Sequence, residues 1–296
     1  MSTETNPEQA PAPVWDFEAS FLSVDTVDEP QFIELFAAAG KRKTSTAATI
    51  VEVPKYRDAK VLFIDIDKGA TVLANNPAVK AKIADGSFRI IQINRDDAGD
   101  PATGRPPAFG QLTMLLGYKD PVTGGWVQGQ AFQRDYDIVI LDTLDVAQEV
   151  AKDWFLANTF TDDGTKLNTM AGWGRIGDWT LGVAWALKNS TALGIALVHS
   201  KEESEGGAFK IKPALAGGAK DKLGGIPDLV AHLDFITDEG QDGATHLVAS
   251  IGESGITETK NRWMLPPKLI DFTLPQLYEL IEQRRAETDK QIAIKA

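Results

Sequence analysis

The chain has 296 residues, with 42 Asp and Glu against 30 Lys and Arg, so its formal net charge is −12. It has no Cys and only three His (His199, His232 and His246), which excludes disulfide scaffolds, thiol nucleophiles and Cys-ligated zinc, and leaves little for a multi-His metal site. No apolar run approaches the roughly 20 residues of a membrane span, so a cytosolic protein without membrane contact is expected. The acidity argues against a protein that coats duplex DNA by charge alone.

Residues 1–25 begin with a polar, Pro-rich stretch and are expected to be disordered or to serve as a docking segment, with Trp15, Phe17 and Phe21 as apolar anchors. From Phe32 onward, short apolar runs alternate with amphipathic stretches. The runs 32–37, 60–66, 88–93, 137–141, 193–199 and 245–251 include segments apolar on both faces (VLFIDI, IVILD, GIALVH), the pattern of buried strands in a mostly parallel sheet. Helices are expected over 44–53, 78–85, 146–158 and 177–188. This alternation predicts an α/β doubly wound domain over 26–285. Residues 96–130, rich in Gly, Pro and Asp, read as an insertion or hairpin around 120–125. Thr273 and Pro275 mark the start of a last helix, followed by a frayed tail at 286–296.

The segment after the first strand reads AAAGKRKTS, from Ala37 to Ser45. A strand–loop–helix with Lys43 and Thr44 is the setting of a phosphate-binding P-loop, in which backbone N–H groups and a helix start face phosphate. The glycine pattern departs from the motif: Ala37 stands at its first Gly and Arg42 at its second. A non-Gly residue forced left-handed at 42 costs about 1–2 kcal/mol. The strand 137–142 ends in Asp142, as expected of a Mg²⁺-holding carboxylate on the strand beside the P-loop. The strand 60–66 leads into Asp65 and Asp67, which share a face if the strand runs that far. His199 ends the next apolar run, at the end of the sheet where ligands bind in such folds.

With these residues on successive strand ends, the sequence resembles the RecA-like P-loop ATPases, and most specifically the phage Sak-type nucleotide-binding and single-strand annealing proteins. AAAGKRKTS, VLFIDIDKG, DIVILDTLDV, TMAGWGRIGDWTLGVAWALK and ALVHSKEESEGGAFKIKPALAGGAKDKLGGIPD carry the resemblance in order. Lys260-Asn261-Arg262 is similar to the Lys-Asn-Arg motif of RadA-type proteins. The resemblance implies ATP and Mg²⁺ as ligands. Ala38, Ala39, Gly40, Lys41, Arg42, Lys43, Thr44 and Ser45 would then cradle the phosphates. Thr44 and Asp142 would hold the metal. Asp67 would position or deprotonate water, and His199 would sense the γ-phosphate. Lys260 and Arg262 would act on a neighbouring subunit's nucleotide, which requires a ring or filament. The shorter Asp67 in place of a Glu, and the altered P-loop, imply slow hydrolysis.

Two stretches are expected to meet single-stranded DNA. In 159–177, Trp173 lies near the cation Arg175. In 200–222, the part from Lys210 to Lys222 holds Lys210, Lys212, Lys220 and Lys222 with one Asp, a local charge of +3. The function implied is an ATP-driven phage recombination protein, annealing or exchanging strands in the host cytoplasm, with a phage or host single-strand-binding protein as a further partner. The rival readings are a degenerate, non-hydrolysing RecA-fold oligomer that binds DNA or protein, and a helicase-loading accessory ATPase.

Overall fold

A computed structural model describes residues 29–133, 135–205, 208–237, 243–252 and 256–295. The N-terminal segment 1–25 lies outside these residues, as does the side chain of Lys220. The strands are β1 (Phe32–Ala37), β2 (Val61–Asp65), β3 (Phe88–Gln92), β4 (Gly117–Lys119), β5 (Trp126–Gln128), β6 (Ile138–Asp142), β7 (Leu193–Glu205), β8 (Ala208–Pro213), β9 (Leu229–Thr237), β10 (Thr245–Ser250), β11 (Lys260–Asn261) and β12 (Lys268–Ile270). The helices are α1 (Lys43–Ala48), α2 (Pro77–Asp85), α3 (Ala108–Leu116), α4 (Gln130–Gln133), α5 (Leu144–Asn158), α6 (Thr169–Asn189), α7 (Ala219–Leu223) and α8 (Leu274–Lys295).

The main sheet has the order β12-β10-β9-β1-β7-β6-β2-β3, with β11 on β9 and β8 on β7. It is parallel from β9 through β3, and β10, β11 and β12 add antiparallel strands at one side. The mostly parallel sheet flanked by helices that the sequence predicts is the one observed.

The central strands are hydrophobic on both sides because helices cover both faces. Period two sorts β1. Ile33, Leu35 and Ala37 join one core with Ile50, Phe63, Leu277 and Ile281. Phe32 and Phe36 join the other with Leu112, Val150, Trp179 and Val183. Each such Leu, Ile or Phe contributes roughly 1.5–3 kcal/mol by leaving water. Local signals set the helix limits. Asn76 Oδ1 accepts from the N–H groups of Ala78 and Val79, Pro77 occupies the first turn, and Gly86 at φ 80° ends α2.

Four expectations are corrected. The region 96–130 is not merely a hairpin insertion, because AFGQLTMLL forms α3 and buries Ala108, Phe109, Leu112 and Leu116. Helix α6 begins at Thr169 rather than 177, with Asn168 accepting from Ala171 N–H. Residues 200–222 are no open glycine loop: β7 continues to Glu205 and pairs with β8, and α7 follows. β9 was hidden in the sequence because Asp228, His232 and Asp234 interrupt its apolar run. After Thr273, whose Oγ1 accepts from Gln276 N–H, α8 extends to Lys295, across the residues read as a tail.

Candidate active site

The loop between β1 and α1 has a positive φ at two residues. Gly40 is at φ 77° and Arg42 at φ 59°, ψ 20°. The position where the motif prefers Gly is therefore left-handed here, with Arg bearing the conformation. Arg42 and Lys41 turn away from the loop's concave side. Lys41 Nζ lies 2.7 Å from Asp234 Oδ1, and both cations sit over the Phe235 ring, at 5.2 and 5.5 Å. Their side chains anchor the loop to the end of β9, leaving only their backbone to face phosphate. Ala38, Ala39 and Gly40 are exposed at the loop's crown.

Lys43 is buried, and its ammonium donates to the carbonyls of Ala37 (3.0 Å) and Ala38 (3.3 Å). Burial pulls its pKa down, against the field of Asp142, Asp145 and Asp67. The next residue, Thr44, donates its hydroxyl to Asp142 Oδ2 at 2.7 Å. Ser45 is half-buried in the first turn of α1, which continues as a 3-10 turn over Thr49–Glu52. Asp142 does not lie on the strand beside β1, as the sequence reading had it, since β7 intervenes. Thr44 closes that gap because α1 packs against β7 as well as β1. Burial raises the Asp142 pKa to about 6, with Asp65 and Asp67 adding to the rise and the Thr44 hydroxyl opposing it.

Strand β2 stops at Asp65, so the shared face expected for Asp65 and Asp67 is not formed. Asp65 is fully buried and accepts from Gly69 N–H, Ala70 N–H and Gln92 Nε2. It braces the turn that carries Asp67. Asp67 is partly exposed, and its Oδ2 lies 3.4 Å from His199 Nε2. On the other side of the ring, His199 Nδ1 lies 2.8 Å from Asp145 Oδ2, and the backbone N–H of His199 donates to Asp145 Oδ1. The Asp145 hydrogen bond raises the His199 pKa, against desolvation. Burial pushes the Asp145 carboxyl up, but its bonds from His199 bring it below the usual range.

The sequence reading missed Asp145 and Gly69. Asp145 falls three residues after Asp142, in the first turn of α5, a spacing that could have marked it. A Cβ on Gly69 would stand 3.1 Å from Thr44 Oγ1 and 3.2 Å from Asp142 Oδ2, so Gly here keeps the space beside that pair open. A hydroxyl and a carboxylate in contact, with Asp65 and Asp67 close by, form an oxygen donor set that fits Mg²⁺.

The other expected residues lie elsewhere. Trp173 and Arg175 are exposed on α6, not on a loop. Lys210 and Lys212 lie on β8, Lys212 3.7 Å from Glu203 Oε2, and Lys222 is exposed on α7. Lys260 donates to the carbonyls of Gly224 and Gly225, and Arg262 pairs with Asp228 at 2.8 Å. Both sit beside the N-terminal ends of β9 and β1, at the opposite end of the sheet from the P-loop.

A family model described as an AAA domain matches residues 29–263, a span that includes every residue of this cluster. The chain belongs to the AAA domain family. This AAA domain therefore carries a nucleotide-binding P-loop ATPase core. No curated protein matches it. Among solved structures, a KaiC-like protein from the hyperthermophilic archaeon Pyrococcus horikoshii aligns with 11% identity and a TM-score of 0.38, covering 74% of this chain and 77% of that one. Among the described residues, no helix is long and apolar enough to cross a membrane.

Proposed function

We propose that this AAA domain is a Mg²⁺-dependent ATPase of the RecA-like, phage Sak-type group, which acts as a homo-oligomer on single-stranded DNA during annealing or strand exchange. One observation carries the hydrolytic part. Lys43, the Thr44–Asp142 pair and the Asp67–His199–Asp145 chain converge at the C-terminal ends of β1, β6, β2 and β7. Phosphoryl transfer needs mostly positioning and charge stabilisation. Lys43, released from the carbonyls it now holds, neutralises the β- and γ-phosphate oxygens. Thr44 and Asp142 would hold Mg²⁺, which would supply charge withdrawal from the phosphates. Asp67 orients water and takes its proton. His199, fixed by Asp145, holds Asp67 in place and faces the γ-phosphate. Lys260 and Arg262 serve the site of the next subunit.

The DNA part draws on Phe160, Leu167, Met170 and Trp173, which are exposed around the start of α6 and offer apolar and aromatic surface on which unstacked bases can lie. Arg175, two residues after Trp173, faces another side of the helix. The non-hydrolysing alternative draws on one feature, the left-handed Arg42. The test is Mg²⁺-dependent phosphate release with and without single-stranded DNA. Stimulation that is lost in Lys43→Ala supports the proposal. Wild-type turnover no higher than that of Lys43→Ala refutes hydrolysis, and failure to anneal complementary oligonucleotides refutes the DNA role.

A further inference from the structure

Helices α3, α5 and α6 and the β4–β5 hairpin enclose a groove of about 660 Å³ outside the nucleotide site. Phe109 forms its floor, stacked on Trp154 at 4.8 Å and meeting Phe155 and Trp179 edge-on at 5.0 and 5.6 Å. Tyr118, Trp154 and Arg175, all exposed, also line it, together with Asp120, Lys119 and Asp178. Arg175 makes no ion pair among the described residues, whereas the neighbouring Lys119 pairs with Asp178 at 2.7 Å. The groove is large enough for two aromatic side chains, and an open aromatic surface of this kind marks an interaction site.

We infer that the occupant is the chain's own segment 14–22, Val-Trp-Asp-Phe-Glu-Ala-Ser-Phe-Leu. Three features favour it. First, Trp15 and Phe17 alternate with Asp16 and Glu18, so in an extended chain both rings point one way and both carboxylates the other. The rings enter the groove while the carboxylates stay at the wet rim, near Arg175. Second, residues 1–28 hold six Asp and Glu and no Lys or Arg, a charge that suits the unpaired guanidinium. Third, the tether is long on the scale of the domain. Glu29 is tied to Lys55 and Arg285 at the start of β1. The 14 residues from there to Trp15 span up to about 46 Å, close to the roughly 47 Å diameter of a domain this size. Tethering then gives an effective concentration in the millimolar range, enough for two buried rings to hold the segment in place. The segment thereby covers the groove at Arg175 and competes with any other aromatic ligand there. This inference does not depend on ATP hydrolysis or DNA binding.

The absence of cysteine from the 296-residue chain allows a direct test. Ser20→Cys is combined with Thr113→Cys in the groove lining, or with Lys268→Cys on the far edge strand as control. Under mild oxidation the first pair is expected to close at least about tenfold faster than the control, within single chains, and to slow to the control rate when Trp15→Ala and Phe17→Ala are added. In a chain with Thr113→Cys alone, the same two alanines should speed alkylation of that thiol, with the thermal unfolding midpoint confirming the fold. Equal closing rates for the two pairs would overturn the inference. So would disulfides formed between chains, which would assign the groove to a second copy, or an alkylation rate indifferent to Trp15 and Phe17.

Discussion

Arg42 is where opposing local energies can be compared most directly. Its left-handed backbone costs about 1–2 kcal/mol. Against this, its guanidinium over Phe235 returns about 0.5–1 kcal/mol, and a Gly in its place would gain chain entropy on unfolding worth about 0.5–1 kcal/mol. The terms nearly cancel. Urea unfolding of Arg42→Gly is therefore expected to fall within about 0.5 kcal/mol of wild type. Arg42→Ala keeps the strain and loses the ring contact, so it should lose about 0.5–1 kcal/mol. At the proposed catalytic cluster, Asp67→Asn removes the carboxylate assigned to take the proton while leaving Lys43 and Thr44 in place. Turnover should fall about 10²–10⁴-fold, with ATP affinity, read by fluorescent-nucleotide titration, little changed. Asp145→Asn leaves His199 without the carboxylate that raises its pKa. The imidazole should then titrate at lower pH by NMR, a shift that Asp67→Asn reproduces only weakly, because Asp67 is the lesser cause.

At the scale of single elements, β1 carries an unusual burden. Glu34 is buried in its middle, and its Oε2 has no hydrogen-bond partner among the described residues. Burial, reinforced by Glu258 and Asp145, raises its pKa from 4.5 to about 8. The folded state therefore binds this proton more tightly than the unfolded chain does. Stability is greatest below pH 4.5 as far as this group is concerned, and it falls as pH rises toward 8, by up to about 1.4 kcal/mol per pH unit. Chemical denaturation between pH 5 and 8 should show that decline in wild type and a much flatter profile in Glu34→Gln. The same strand illustrates what was legible in the sequence. FIELFA reads as a strand because five of its six residues are apolar, and that signal survives one Glu. Strand β9 did not, because charged and polar residues at 228, 232 and 234 break its run, and only its neighbours β1 and β10 reveal why it is extended. Asp142 and His199 were legible because each stands at the end of an apolar run, and Lys43 and Thr44 because they open a helix after a short loop that follows one. Asp145 was not, since its role depends on a ring that arrives from a strand 54 residues later. The turn that aims Asp67 likewise depends on Asp65 accepting three hydrogen bonds, which no local pattern announces.

For the whole molecule, the decisive fact is that the two ends of the sheet carry different chemistry. Asp228, the partner of Arg262, has its N–H bonded to Phe32 O at the start of β1. The P-loop begins after Ala37, five residues farther along, or about 17 Å of strand. Arg262 therefore cannot reach the phosphates bound by its own chain, and any role in hydrolysis must be exercised on a neighbour in a head-to-tail assembly, the arrangement that generates rings or filaments. Mixing separates the two roles. Lys43→Ala chains lack a working site but keep the far-end cations, and Arg262→Ala chains keep the site but lack the cation. Each alone should be inactive. Combined in equal amounts, about a quarter of the contacts pair an intact site with an intact Arg262, so ATPase activity should return to about that fraction of wild type. Size-exclusion chromatography with light scattering, run with ATP, should show the mixed species as oligomers. A mixture as inactive as its parts, from chains that do co-assemble, would show that Arg262 only ties the 256–262 segment to Asp228 and does not act across an interface.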